Sequence, residues 1–412
     1  MFMQHGAMLA PRPPLVAYRE DLARRGRHDG FGPSDATWLT VAAVLSHAVD
    51  VPADSRPPLL ATVRGVVASD PTLRDVLPVS EPERATEFEL DGVSPIVRAI
   101  VERMEDEGAL TLAYSMLSIL TDADLRLSVL ERGRVLAQLA RVARKAGAID
   151  TAREHYRRVE VLARASRIPE LRVRAWIGYG LVARLRGNYP DVRKWSARAA
   201  HEADRAGLSA LGSLAYHGLM IAAAKMGNLN AALVYGWRAF QNSIGDAARE
   251  AEMLLNISQL LYQAGHPRAA LYGFTASLAR EPAPRVALPT LGSIALAAAA
   301  LGDGDRVRAA WAQSERLIAA GGTPYESADV LFELSTALAA VGDATAAGEC
   351  RTRALGIAAR QGYHELTHRL EALEVPFPPA RADAAQALDA HASAVARAVA
   401  SLGLVGIGTS DE

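Results

Sequence analysis

Residues 254–278 read LLNISQLLYQAGHPRAALYGFTASL, and the pattern of this stretch decides the fold. On both sides of Gly265, apolar side chains recur at intervals of three and four residues, which is the spacing of one buried helix face. Gly265 supplies the positive φ that a helix C-cap needs, and Pro267 suits the first turn of the next helix, where its missing N–H has no partner to lose. The stretch therefore predicts two amphipathic helices joined as a hairpin.

The hairpin recurs along most of the chain when its loop glycines are aligned. The positions 11 and 8 residues before each glycine are apolar or aromatic in every unit, and the position 5 residues after it is Ala or Val. Such small side chains let paired helices approach closely. The aligned glycines, which are 39 residues apart on average, are Gly108, Gly147, Gly187, Gly227, Gly265, Gly302 and Gly342. They predict an all-α, right-handed α-solenoid of about seven hairpins.

This pattern resembles the tetratricopeptide repeat (TPR), whose signature combines aromatic and small residues around a loop glycine. The segment WIGYG at 176–180, with Asn188 and Tyr189, is nearest to the first half of that signature. The units here are 37 to 40 residues long and mostly lack the terminal proline, which implies longer helices or loops than in the usual repeat. The resemblance covers about residues 91–375 and implies a surface for binding other molecules.

The pattern divides the chain into four parts. Residues 1–14 carry three prolines and no periodicity, which predicts a disordered N-terminus. Residues 15–90 are expected to hold an N-terminal helical extension and an acidic connector, and residues 91–375 the repeat array with a capping helix. Residues 376–412 predict a final helix, at about 382–402, and a tail. The helical patterns before the array cover about 15–25, 34–49 and 58–68.

Composition excludes several classes of protein. The single cysteine, Cys350, excludes an intrachain disulfide and a cysteine-based metal cluster, and it fits a reducing compartment. The N-terminus has no charged lead-in before an apolar core, so no secretory signal is predicted. The longest apolar run, 286–301, contains Pro289 and Gly292 and is too short to span a bilayer. A cytoplasmic protein without a membrane partner is expected.

Charge is unevenly distributed although the net charge is only −1. Residues 126–205 contain 19 Lys and Arg against 8 Asp and Glu, whereas residues 81–107 contain 9 acidic against 3 basic residues. Such asymmetry affects partner choice and association rate rather than the fold. One variant of this interpretation is autoinhibitory, with the acidic segment on the basic surface until a partner displaces it.

The TPR resemblance implies a ligand groove lined by the first helix of each hairpin, with ligand-facing residues 13, 10, 6 and 3 positions before the loop glycine. In this register the second and third hairpins give the groove a basic wall. The groove becomes apolar toward the C-terminus, at Leu255 and Phe332. Asn256 would add an amide for a ligand backbone. The predicted binding residues are Arg134, Arg141, Arg144, Arg174, Arg184, His217, Asn256, Gln259 and Tyr262.

The expected partner is a protein or peptide with an acidic segment and an apolar end. Carboxylates accept bidentate bonds from arginine, and apolar side chains lose water against Leu and Phe. In the alternative interpretation, the arginines pair with the chain's own acidic residues, among them Glu102, Glu105 and Glu131, and stay on a solvated surface. The final helix, which has an apolar face, is expected either to fold back on the array or to pair with another copy in a homo-oligomer.

Two alternatives of other classes remain. His364, Glu365 and His368 match H-E-x-x-H, in which two histidines bind zinc and the glutamate activates its water. No third ligand stands at a defensible spacing, and a capping helix with outward histidines explains the same residues. The basic units also suggest a nucleic-acid-binding transcriptional regulator, although their aromatics occupy mostly core positions.

Other catalytic signatures do not occur in the sequence. No phosphate-binding loop, dinucleotide fingerprint or nucleophile elbow appears, so neither a cofactor nor an enzymatic activity is expected. The sequence therefore favours a non-catalytic, peptide-binding or protein-binding scaffold, either an adaptor or a regulatory sensor.

Overall fold

A computed structural model describes residues 10–25, 35–51, 56–70, 90–121, 127–321, 323–372 and 386–407. Within these ranges every regular element is an α-helix, which confirms the predicted all-α solenoid class. The helices are α1 (Pro14–Arg25), α2 (Asp35–Asp50), α3 (Arg56–Ser69), α4 (Ser94–Asp106), α5 (Leu110–Ile119), α6 (Val129–Lys145), α7 (Ile149–Ser166), α8 (Pro169–Leu185), α9 (Tyr189–Ala206), α10 (Ser209–Lys225), α11 (Leu229–Gln241), α12 (Ala247–Gln263), α13 (Pro267–Leu278), α14 (Pro284–Ala300), α15 (Gly304–Ala319), α16 (Pro324–Ala340), α17 (Ala344–Gln361), α18 (His364–Ala372) and α19 (Ala390–Ile407).

The seven predicted loop glycines all lie between the two helices of a hairpin. Their φ angles are positive, from 68° at Gly187 to 88° at Gly342, so each uses the conformation that favours glycine. Gly265 follows α12, and Pro267 is the first residue of α13, as the sequence predicts. The hairpins are therefore α4/α5, α6/α7, α8/α9, α10/α11, α12/α13, α14/α15 and α16/α17. We call their members first and second helices.

A second set of turns returns the chain from each second helix to the next hairpin. Glycines with positive φ occupy four of these turns, namely Gly207, Gly245, Gly321 and Gly362. After α7 the equivalent residue is Arg167, with φ of 59°, a conformation that costs a non-glycine residue about 1–2 kcal/mol. These residues follow the preceding loop glycine by 18 to 20 positions, a second regularity that the sequence prediction did not use.

The chain divides into two compact units, and unit 1 comprises Met1–Leu211. Helices α1 to α3 lie within two residues of the predicted segments, and α1 and α2 pack on α5. The buried carboxylate of Asp21 accepts hydrogen bonds from the backbone N–H groups of Thr111 (3.0 Å) and Leu112 (2.8 Å). A carboxylate at this position satisfies N–H groups of the first turn of α5 that have no partner within the helix. The N-terminal helices thus complete the first hairpin.

Unit 2 comprises Gly212–Glu412, and its first helices are closely packed. Helix α14 packs directly against α16, and residues 290–298 of α14 are all buried. Gly292 permits this approach, since a Cβ there would lie 3.1 Å from the Cβ of Glu333 and would collide with its carboxylate. The largest fully buried side chains of the unit are Phe274 and Phe332.

The C-terminal helix α19 folds back on the second helices α11 and α13. It begins at Ala390, later than predicted, because Asp389 Oδ1 accepts the Ala392 N–H at 2.8 Å and so caps the helix there. A Cβ at Gly403 would collide with the backbone of Tyr272, so the two helices are in close contact. The apolar face that suggested an oligomer contact is therefore covered by the same chain. The predicted connector between 81 and 89 and residues 373–385 lie outside the described residues.

Candidate functional site

The first helices of unit 1 present an open stripe, which we call the A-face. It consists of the residues 13, 10, 6 and 3 positions before Gly147 on α6 and before Gly187 on α8. All eight are partly exposed, whereas neighbouring positions such as Leu136 and Val173 are buried. The A-face residues are Arg134, Ala137, Arg141, Arg144, Arg174, Ile177, Leu181 and Arg184.

Five charged residues form a ladder across the A-face, which we call the Arg–Glu ladder. Glu170 of α8 accepts two hydrogen bonds from Arg134 of α6, at 2.8 Å from Nε and 2.7 Å from Nη2, and a third from Arg174 Nε at 2.8 Å. Arg134 Nη1 also donates to Glu131 at 2.6 Å. The other carboxylate oxygen of Glu131 lies 3.3 Å from Nη2 of Arg98 on α4. The ladder therefore links three consecutive hairpins.

The ladder carries a surplus of positive charge, with three guanidinium groups and two carboxylates. Burial alone would raise the pKa of Glu170, but the hydrogen bonds from Arg134 and Arg174 outweigh it and lower the pKa to about 2. The pKa of Arg98 is lowered, first by burial and then by the charges of Arg134 and Arg174, against the attraction of Glu131. Arg174 donates only its Nε, so its two Nη groups have no hydrogen-bond partner among the described residues.

A second cluster on the same face is electrically balanced. Arg141 lies 2.8 Å from Glu105 and 3.0 Å from Glu102, and Lys145 lies 3.0 Å from the other oxygen of Glu105. Two cations thus face two carboxylates. The predicted basic wall is largely neutralised by the chain's own acidic residues, as the alternative interpretation expected. That these arginines bind an acidic partner stays a prediction.

The other two predicted arginines lie at the end of the A-face near the hairpin turns. Arg144 lies beside Tyr156, whose pKa is raised by burial and lowered in part by Arg144. Arg184 is partly exposed on the last turn of α8. Neither side chain belongs to the Arg–Glu ladder.

The predicted residues of unit 2 make mostly internal contacts. His217 Nδ1 lies 3.1 Å from Nη2 of Arg249, which also pairs with Glu252 at 2.7 Å. Asn256 Nδ2 donates to the backbone carbonyl of Glu252 at 2.8 Å, and its Oδ1 accepts no hydrogen bond from any described residue. Gln259 Nε2 is 3.5 Å from Ser293 Oγ. Tyr262, on the next turn of α12, is buried.

The predicted apolar end of the groove is wrong. Leu255 and Phe332 are only 7% and 1% exposed, so neither presents a surface to a ligand. Neighbouring helices close the face that the register had assigned to a groove: α14 packs against both α12 and α16, and Arg369 of α18 lies 5.6 Å from the centre of the Phe332 ring.

Sequence reasoning missed part of the site. Arg98 stands 10 residues before Gly108, so the same register applied to the first hairpin would have found it; Glu102 and Glu105, 6 and 3 residues before that glycine, were expected only as pairing partners. The ion pairs also carried a signal, because partners on adjacent hairpins are about one repeat apart in sequence. Arg134 and Glu170 are 36 residues apart, as are Arg141 and Glu105.

The H-E-x-x-H segment lies on α18 with His364, Glu365 and His368 exposed and with Leu366 and Leu370 buried. Among the described residues, no group of three or more His, Cys, Asp or Glu side chains is placed to hold a metal ion. The peptidase alternative therefore gains no support. In the same described ranges, no helix has both the length and the apolar character needed to cross a membrane.

Comparisons with known proteins bear on the fold. No protein-family model and no curated protein matches the sequence. A Signal Transduction ATPase with Numerous Domains (STAND) protein with a tetratricopeptide repeat sensor, from Pyrococcus horikoshii, is similar in structure, with a TM-score of 0.51 and 10% identity. The similarity covers 88% of this chain, which spans about half (56%) of that protein.

Two further solved structures are less similar. The apo form of the quorum sensor NprR from B. thuringiensis has a TM-score of 0.48 at 12% identity, covering 72% of this chain and 84% of that one. A Rap protein complexed with competence and sporulation factor has a TM-score of 0.45 at 13% identity, covering 91% and 99%. At such identities only the fold is shared, and the STAND protein alone among these exceeds a TM-score of 0.5. The likeness agrees with the fold that the loop glycines predict.

Proposed function

Because this chain is a TPR-like helical-repeat protein, we propose that it is a non-catalytic regulatory scaffold that binds an acidic peptide or protein segment on the A-face of unit 1. The observation that carries this proposal is the surplus guanidinium group of the Arg–Glu ladder, which lies beside partly exposed apolar side chains. Ligand binding there would supply the carboxylate that the ladder lacks.

Arg174 is the residue best placed to receive that carboxylate. Its Nε is fixed by Glu170, and its two Nη groups remain for a ligand. Bonds between a guanidinium and a carboxylate are short, strong and directional. Because Glu170 already holds the side chain, binding loses less rotational freedom than it would with an unrestrained arginine.

The apolar part of the ligand would lie further along α8. Ile177 and Leu181 follow Arg174 by three and seven residues, and both are partly exposed. At 1.5 Å of rise per residue they lie within about 10 Å of Arg174 along the helix axis. A ligand with an acidic group followed closely by an apolar side chain fits this order of residues.

Selection from a random peptide library displayed on phage, with the purified full chain as bait, tests the proposal. We expect enriched peptides to carry an acidic group next to an apolar residue. Fluorescence anisotropy with an enriched peptide should show that Arg174→Glu weakens binding about tenfold or more, since a lost charged contact becomes a repulsion.

The matched control is Arg360→Glu, which makes the same charge change at an exposed position of α17 in unit 2, outside the A-face, and should leave the affinity within about twofold. Enriched peptides without an acidic group, or equal losses in the two variants, would refute the assignment to the A-face.

A further inference from the structure

Part of the basic surplus of residues 126–205 lies on the second helices of unit 1. Exposed cations on and just after α7 and α9 make no ion pair with any described residue, in contrast to the paired arginines of the A-face. We call the exposed faces of these two helices the α7–α9 surface. Its unpaired cations are Arg153, Arg158, Arg167, Arg193, Lys194 and Arg198.

A cleft of about 790 Å³ runs between the two helices. Its apolar lining comes from Val182 and Ala183 of α8, together with Tyr179 and Trp195, whose rings are 5.0 Å apart between centroids. Val161 of α7 is a further apolar residue of the α7–α9 surface and is 54% exposed. Charged side chains of α7 and α9 complete the lining of the cleft, so the surface combines a cleft of mixed apolar and charged lining with a basic rim.

Unit 2 shows what such a groove accepts. There α19 packs on α11 and α13, which are the second helices of consecutive hairpins just as α7 and α9 are. In α13 the residue 8 positions after the loop glycine is Gly273, where a Cβ would lie about 2.5 Å from Val399 of α19. A groove between two second helices of this chain can therefore bind a helix.

The occupant of the α7–α9 surface must differ from α19. Trp195 stands 8 residues after Gly187, in the register that Gly273 holds in α13, so a helix packed as tightly as α19 would collide with the indole. Arg397 is the one Lys, Arg, Asp or Glu residue of α19, and its charge has the same sign as the rim. These two facts argue against a second copy of α19.

We propose that the α7–α9 surface binds an amphipathic helix of a partner protein, with an apolar stripe in the cleft and acidic side chains on its flanks. The stripe would lie beside Trp195 and Val161, and the carboxylates would meet the unpaired cations of the rim. Burial of an apolar helix face in a groove gives affinity, while complementary charge gives orientation and a faster association rate.

A nucleic acid fits this surface less well. The cleft is lined also by Asp150, Glu154 and Glu160, which pair with Arg186, Arg157 and Arg164, and by Asp191, so the cleft itself offers a phosphate backbone few free cations. Lys194 and Arg198 each lie 5.1 Å from the centre of the Trp195 ring, so stacking of a base on the indole would have to displace them. An acidic helix would keep its carboxylates at the rim and place its apolar stripe over the cleft.

Fluorescence anisotropy with synthetic probes tests the proposal on the full chain. The probe is a helical peptide with leucines along one face and glutamates on both flanks, and its controls are a scrambled peptide of equal composition and a duplex DNA of equal length. We expect the scrambled peptide and the DNA to bind about tenfold more weakly or worse than the helix at physiological salt.

Protein variants locate the site. Arg153→Glu with Arg198→Glu should weaken binding of the helical probe about thirtyfold, because two attractions become repulsions. Arg360→Glu, which makes the same kind of charge change on α17 in unit 2, should leave it within about twofold. If the double charge reversal perturbs folding by circular dichroism, Arg153→Gln with Arg198→Gln replaces it and should give a smaller loss in the same direction.

Three results would overturn the proposal: equal affinity for the helix and the scrambled peptide, tighter binding of the DNA, or affinity for the helix that the paired substitutions do not change. Failure of the helical probe to bind at all would do the same. Because Arg174 tests the A-face and Arg153 and Arg198 test the α7–α9 surface, the two proposals can fail independently.

Discussion

Units 1 and 2 use the same hairpin but expose different parts of it. In unit 1 the first helices present the open, charged A-face, and the grooved surface of α7 and α9 is left uncovered. In unit 2 the first helix α14 is buried against α16, and α19 covers α11 and α13. The hairpin alone therefore does not decide which faces are free to bind a partner.

One glycine contributes to the difference between the first helices. Ten residues before the loop glycine, Arg98, Ala137 and Ile177 of unit 1 and His217 of unit 2 are partly exposed, whereas Leu255, Gly292 and Phe332 of unit 2 are buried. At Gly292 the absence of a side chain lets α14 approach α16 closely, because packed helices need small residues at their closest contact.

The largest expected effect tests this explanation directly. Phe332→Ala should lower the free energy of unfolding by about 3–5 kcal/mol, because it removes a fully buried ring. Ile177→Ala, at the same register position in unit 1, should cost about 1 kcal/mol, because the side chain is already partly in water. Urea unfolding of the two variants and the wild type measures both values.

Equal costs for the two substitutions would mean that the first-helix faces of the units are packed alike, and the comparison would fail. Arg369, whose guanidinium lies 5.6 Å from the centre of the Phe332 ring, adds a contact that the alanine variant also loses.

Substitution of two carboxylates, one in each unit, should change the free energy of unfolding by intermediate amounts and in opposite directions. Glu170 in unit 1 is held charged by two arginines, and its pKa is lowered to about 2. Glu333 in unit 2 is fully buried, and burial raises its pKa well above the ordinary range, with Asp329 adding to the rise and Arg369 opposing it. Its Oε2 has no hydrogen-bond partner among the described residues.

At pH 7, Glu170→Gln should destabilise the protein by about 1–2 kcal/mol, the low end for a partly exposed charged contact. Glu333→Gln should stabilise it by about 1–3 kcal/mol, since the amide avoids the cost of a buried charge. Urea unfolding at pH 7 and near pH 4 measures both.

The two effects should respond to pH in opposite ways. A lowered pKa gives stability that is present above the ordinary carboxyl pKa and lost as pH falls toward 2, so the Glu170→Gln loss should largely persist at pH 4. A raised pKa gives stability that is present below the ordinary value and lost as pH rises, so the Glu333→Gln gain should vanish near pH 4. Effects of the same sign at pH 7 would contradict this account.

The sequence alone predicted the hairpins because their signals are local. A loop glycine such as Gly265, an N1 proline such as Pro267 and helical apolar spacing all act within one hairpin, so aligning the hairpins was sufficient. The N-terminal helices were located for the same reason. Closure of the first-helix face in unit 2 was not predicted, because it depends on Gly292 of one hairpin meeting Glu333 of the next.

The sequence predicted an open face on the first helices of unit 1 and left open whether its arginines are paired. The register placed Arg134, Arg141 and Arg174 on an open face, yet their charges are shared with Glu170 and Glu105. Pairing of this kind depends on which residues adjacent hairpins bring opposite each other, and the pattern within one hairpin does not contain that information. The choice between the two alternatives for the final helix was left open for a similar reason, since the fold-back depends on Gly273 meeting Val399 and on Gly403 meeting Tyr272, which are distant in sequence.

The smallest expected effect concerns the exposed histidines of α18, at the end of unit 2. His364→Ala with His368→Ala should change the free energy of unfolding by less than about 0.5 kcal/mol, as should His201→Ala, the matched exposed histidine of α9 in unit 1. Both α18 histidines face away from the buried Leu366 and Leu370, so neither contributes to packing.

Elemental analysis of the purified protein should find less than one zinc per chain, because two histidines and a glutamate on one exposed helix lack a third ligand among the described residues. Stoichiometric zinc that is lost in the α18 variant but kept in His201→Ala would contradict this expectation and favour the peptidase alternative for unit 2.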